Sequence, residues 1–156
     1  MGSDIADRLR EHPFAKGFCP EQIALMAAMA SEVHFLARET IFPEGDQSSL
    51  FYLLVTGSAA LEARSPGGPV RVATLFAGEV LGWSSVTGGT GQQFEARALE
   101  DIHALAFDGA HLRRACEADY SFGFRFSRAV LSAMTGRLHA IRAQLPDACT
   151  PMGEAK

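Results

Sequence analysis

The sequence predicts a mainly β fold with helices at both ends, and three observations carry that prediction. Between Val33 and Phe107, short runs rich in β-branched and aromatic residues recur. Glycine-centred breaks separate them about every ten residues, the interval of an all-β roll, sandwich or barrel. Before Val33 and after Phe107, apolar residues return at helical spacing.

In chain order, Asp4 to Glu11 reads as a short helix broken by Pro13. Pro20-Glu21-Gln22 opens a second one running to about Ala30. Proline at the first turn has no N–H to lose, glutamate suits the dipole, and Ile23, Leu25, Met26 and Met29 form an apolar face. The strands follow: Val33 to Ala37, Thr40 to Phe42, Leu50 to Thr56, Ala59 to Ala63, Val70 to Phe76, Phe94 to Leu99 and Ile102 to Phe107. Breaks fall at Glu44-Gly45-Asp46, Gly57, Pro66-Gly67-Gly68-Pro69, Gly78 and Gly88-Gly89, where glycine supplies positive φ. Phe51, Leu53 and Val55 alternate toward a core.

After Phe107, Asp108 is a suitable N-cap for a helix through Ala118, and Asp119 for a longer one. Along the latter, Phe122, Phe126, Val130, Met134, Leu138, Ile141 and Leu145 make a stripe over about 27 residues, or roughly 40 Å. That exceeds what a small roll covers. The surplus predicts a parallel homodimer, with Phe126, Val130, Met134, Leu138, Ile141 and Leu145 at its interface. The alternative is a helix folded back on its own roll. Pro146 ends the helix, and 146–156 reads as a tail.

Composition bounds the function. A chain of 156 residues, 47% hydrophobic and 21% charged, holds one domain able to fold without disulfides or metal. Cys19, Cys116 and Cys149 lie far apart and read as reduced thiols. The apolar run Ile23 to Ala30 is too short and too late for a signal peptide or membrane span, so a cytoplasmic location is expected. A net charge of −4 disfavours general nucleic-acid binding, although Arg125, Arg128, Arg137 and Arg142 make the last helix locally basic. Those arginines read as a solvated or dimer-flanking face. His12, His34, His103, His111 and His139 form no HxH or HxxxH pair, so no metal site, cofactor or catalytic residue is assigned. Gly88-Gly89-Thr90-Gly91 lacks the lysine of a phosphate loop and reads as a turn.

Three blocks then resemble one family. Glu39-Thr40-Ile41-Phe42-Pro43-Glu44-Gly45-Asp46, followed by Phe51-Tyr52-Leu53-Leu54-Val55-Thr56-Gly57, resembles the "GxxIxxEGD … strand … G" pattern of cyclic-nucleotide-binding domains. Gly78-Glu79-Val80-Leu81-Gly82 and Ala96-Arg97-Ala98-Leu99-Glu100-Asp101 resemble the "PGDxxG" turn and "RALED" strand of the same superfamily, which includes the CRP/FNR regulators. The resemblance implies a double-stranded β-roll of the jelly-roll or cupin-like kind. Its parts would be a helical lead-in (1–32), the roll (33–107) with a phosphate-cassette-like segment (82–93), and carboxy-terminal helices (108–145) whose dimerisation helix spans 119–145. Family transcription factors continue into a helix-turn-helix, and this chain leaves no room for a DNA-binding domain.

The resemblance also implies a site. In the family a glutamate holds the ribose hydroxyl, a short helix offers N–H groups to the cyclic phosphate, and an arginine pairs with it. The matching window here is Leu81-Gly82-Trp83-Ser84-Ser85-Val86, with Trp83 in place of the glutamate, and the arginine position falls on Gln92. Arg97 lies five residues on and points to the opposite strand face. Losing one charge-assisted bond costs about 1.5–3 kcal/mol, roughly ten- to a hundredfold in affinity. Weak or altered specificity is therefore expected of a regulatory, non-enzymatic sensor. Ser84, Ser85, Gln92 and Gln93, with Trp83 and Phe94 as a stacking wall, suit a neutral or weakly acidic planar molecule. In the alternative, Trp83 and Phe94 fill the space as core, leaving a ligand-independent dimeric adaptor for an unidentified protein partner. A third reading is a true cyclic AMP or GMP binder using other contacts.

Overall fold

A computed structural model describes residues 2–45, 50–87 and 94–144. Helix α1 (Gly2–Glu11) leads through a 3-10 turn (Pro13–Ala15) to α2 (Pro20–Met29). The strands are β1 (Ser31–Phe35), β2 (Thr40–Phe42), β3 (Leu50–Thr56), β4 (Ser58–Ala63), β5 (Val70–Phe76), β6 (Val80–Leu81), β7 (Glu95–Ala98) and β8 (Ile102–Asp108). Helix α3 (Ser84–Thr87) interrupts them, and α4 (Gly109–Ala118) and α5 (Tyr120–Gln144) follow. Both predicted caps form: Asp108 accepts from the His111 N–H at 3.0 Å, and Asp119 from the Ser121 and Phe122 N–H groups at 3.0 and 3.2 Å.

The strands make two antiparallel four-stranded sheets, β1-β8-β3-β6 and β2-β7-β4-β5, which is the double-stranded roll that the family resemblance implies. Strand β3 departs from simple alternation because both its faces are buried. Tyr52 and Leu54 pack between the sheets with Phe42, Leu61, Leu75, Ile102 and Ala104. Phe51 and Leu53 face the other way, into a second core with Leu105, Phe107, Leu9, Met26 and Leu112. One sheet is thus sandwiched between the other sheet and a helical layer, as its near-continuous apolar strands require.

That helical layer corrects the reading of the long stripe. Phe122, Phe126 and Val130 lie in the second core, where Phe126 meets Phe14 and Phe51 edge-on at ring centroids of 5.5 and 5.7 Å. Phe126 and Val130 are packed into the protomer's own core, 4% and 7% exposed, which is the fold-back alternative for this part of the stripe. Met134 and Ile141 are half-buried against the same protomer, Leu138 is exposed, and Leu145 lies outside the described residues. Helix α5 folds back on its roll because the outer face of β3 and β8 needs a cover. What it leaves uncovered is a different line: Phe124, Leu131 and Leu138, seven residues apart and 61%, 64% and 66% exposed.

Candidate functional site

The cassette-like segment begins where β6 leaves the sheet. Gly82 turns the chain at φ +77°, and a Cβ there would stand 2.4 Å from the Leu50 carbonyl oxygen. Only glycine fits so close an approach in the left-handed region. The turn of α3 follows, with the Ser85 N–H and hydroxyl both donating to the Gly82 carbonyl, at 3.0 and 2.7 Å. Arg113 of α4 donates to the Ser85 carbonyl, and Gly109 sits so close to it that a Cβ would clash at 2.4 Å. The short helix is thus locked onto α4.

Of the predicted ligand residues, Leu81, Gly82, Trp83, Ser84 and Phe94 do come together around one cavity. Ser85 is buried, its hydroxyl spent on Gly82. Val86 turns away, lining a groove with Arg113, Cys116 and Met134. Gln92 and Gln93 lie outside the described residues. Arg97 leaves on the outer face of β7, opposite buried Ala96 and Ala98, and pairs with Glu95 at 2.5 Å and Glu62 at 3.6 Å. It does not reach the cavity lining.

Sequence reasoning missed three further residues of this cavity: Phe42, Leu61 and, from α5, Arg137. Arg137, read from the sequence as part of a solvated or dimer-flanking face, instead turns inward. Its guanidinium enters beside Trp83 and donates to the Val80 carbonyl, while its Nε is buried with no hydrogen-bond partner among the described residues. Burial pushes its pKa down, and nearby Glu79 pushes it back up. With Trp83, Phe94 and Arg137 in place, the cavity is about 10 Å³, the room of about one water. A signal for Arg137 exists in the sequence. It stands three residues after Met134 and four before Ile141, a cation on the inward face of the helix.

Elsewhere, His12 joins the lead-in to the roll, its Nε2 donating to the Leu54 carbonyl at 2.9 Å and its Nδ1 accepting from the Phe14 N–H at 3.1 Å. Burial lowers its pKa, partly offset by the Leu54 bond. Among the described residues, no group of three or more His, Cys, Asp or Glu is placed to hold a metal ion. No described helix is long and apolar enough to cross a membrane.

Residues 32–119 match the family model described as cyclic nucleotide-binding domain. No curated protein matches the chain. Among solved structures, a protein named as a cyclic nucleotide-binding one, from Geobacter metallireducens GS-15, is 27% identical, with a TM-score of 0.77 over 86% of this chain and 98% of that one. The N-terminal domain of a transcriptional regulator from Streptomyces coelicolor A3(2) is 26% identical, at TM-score 0.69 over 86% of this chain and 95% of its own. A cyclic nucleotide-binding domain from Methylobacillus flagellatus KT shares the fold at TM-score 0.79 and 16% identity, over 92% of this chain and 82% of that one.

Proposed function

The chain belongs to the cyclic nucleotide-binding domain family, and from that premise we propose that it is a regulatory module whose nucleotide site is occupied by its own side chains. One observation carries the reading: Arg137 of α5, with Trp83 and Phe94, leaves the cassette a cavity of about 10 Å³. A nucleotide needs several hundred cubic ångströms. Trp83 also stands where the family resemblance would put the ribose-holding carboxylate. Ordinary cyclic AMP or GMP binding is weak or absent in this state.

The plug is also costly, which makes it a switch rather than a wall. Leaving the Arg137 Nε buried and unpaired costs about 1–3 kcal/mol. A ligand that displaces the guanidinium would return it to water and loosen the end of α5 that carries it. Such a ligand would be planar and at most weakly acidic, held by Ser84, Trp83 and Phe94. Regulation, not catalysis, is the output, in keeping with the Streptomyces relative's place in a transcriptional regulator.

Isothermal titration with cyclic AMP and cyclic GMP tests this on the native chain and on Arg137→Ala. The expected result is no micromolar binding by the native chain. Micromolar binding by the native chain would overturn the self-occupied site and favour a binder using other contacts.

A second reading, the ligand-independent dimeric adaptor, is favoured by the exposed line Phe124, Leu131 and Leu138. A heptad step on the outer face of a long helix suits a parallel partner helix. A cytoplasmic location fits either reading.

A further inference from the structure

Beside that exposed line, a cleft of about 410 Å³ opens between the 3-10 turn and α5, with β6 contributing to its lining. Among the described residues, three cations line it, Lys16, Arg125 and Arg128, and no carboxylate does. None of the three enters an ion pair among the described residues. In a chain of net charge −4, a carboxylate-free cluster of this kind runs against the average and makes a local positive potential inside a concavity.

The arginines are also positioned. Arg125 lies along Gly17, where a Cβ would meet its Cδ and a terminal guanidinium nitrogen at 3.3 Å, so the glycine makes room for it. Arg128 rests over the Phe124 ring at 5.9 Å, a contact that occupies the guanidinium face and leaves its in-plane donors available. Between them the lining carries the Ser132 hydroxyl and an apolar floor that includes Phe18 and Val80.

We infer that this cleft is a second ligand site, distinct from the cassette, that binds an organic phosphate. The two guanidinium forks and Lys16 match a multiply charged phosphate head, since such forks grip phosphate oxygens two at a time. The floor takes the apolar or planar remainder. The size falls in the range of small-molecule sites, about 300–1,000 Å³, and the shape is concave, as a flat protein contact is not. Val80 links the two sites: it lines the cleft, and its carbonyl accepts from the Arg137 guanidinium that enters the cassette.

The test is an amide-shift titration of the native chain with inorganic pyrophosphate and with ATP, alongside co-sedimentation with phosphatidylcholine vesicles carrying phosphatidylglycerol. Shifts at Gly17, Val80 and Arg125 to Ala133 are expected. Affinity should drop about tenfold or more in Arg125→Gln/Arg128→Gln. Ser132→Trp, which fills the cleft mouth without altering charge, should lose binding as well. Binding to the soluble probes identifies a free phosphate as the source, and binding to vesicles alone a lipid headgroup. The inference is overturned if neither probe nor vesicle binds, or if Ser132→Trp binds like the native chain, which would mean attraction to a basic surface. Shifts confined to Ser84–Thr87 would overturn it too, by placing the anion in the cassette.

Discussion

His12 and Arg137 are both buried cationic-type side chains, yet they solve the problem of burial differently. His12 stays neutral: one ring nitrogen donates to the Leu54 carbonyl and the other accepts from the Phe14 N–H, so protonation would break the second bond. Its folded pKa lies below the ordinary 6.5, so the unfolded chain binds its proton first. The stability that His12 provides is complete above about pH 6.5 and declines as pH falls below it, levelling once the folded pKa is passed. Urea denaturation across that window should show a loss on acidification that His12→Gln lacks; equal slopes for the two proteins would refute the assignment. Arg137 instead keeps a charge at the cost of an unpaired Nε. Arg137→Met, which fills similar volume with no polar atom, should be as stable as the native chain or up to about 2 kcal/mol more stable. A loss of more than about 2 kcal/mol in urea would mean that the Val80 bond outweighs the desolvation.

At the scale of elements, the strands and caps were legible because each is a local property. Alternation and glycine breaks marked the seven longer strands, and Asp108 and Asp119 marked the starts of α4 and α5. Strand β6 was not legible, since two residues carry no period. The family pattern located the cassette, and Leu81 to Ser84 with Phe94 do line one cavity. Trp83 and Phe94 were legible as an alternative filling of that site, but the part of Arg137 was not, because it is more than forty residues away from Phe94 and only the docking of α5 brings them together. The same docking divides the long stripe, for spacing reports that a face is apolar and not which surface covers it. The cassette depends on its entry turn, which gives a direct test. Gly82→Ala forces a Cβ against the Leu50 carbonyl at positive φ, and should cost at least about 2 kcal/mol. Gly45→Ala, also at positive φ but with nothing within 4 Å, should cost less, about 1 kcal/mol. The ordering of the two denaturation midpoints checks the argument, and a reversed order would show that the close approach to β3 is relieved cheaply.

Across the whole molecule, the two cores make α5 both a structural cover and the carrier of the exposed line, so packing takes one face of the helix and leaves another uncovered. Phe122, Phe126 and Val130 hold it to the roll, while Phe124, Leu131 and Leu138 project outward. If a second copy covers the outward line, substitutions there should change mass without changing the fold. Leu131→Glu/Leu138→Glu should convert a dimer to a monomer, because four carboxylates would face one another across a parallel seam. Each protomer's urea stability in the monomeric state should shift by no more than about 0.5 kcal/mol, as for other exposed positions. Val130→Ala should do the opposite, costing about 2 kcal/mol by opening a cavity in the second core while leaving the seam in place. Light scattering at tens of micromolar protein, paired with denaturation of each variant, separates the two effects. A native chain that stays monomeric at that concentration would remove the adaptor reading and leave α5 with one partner, its own roll.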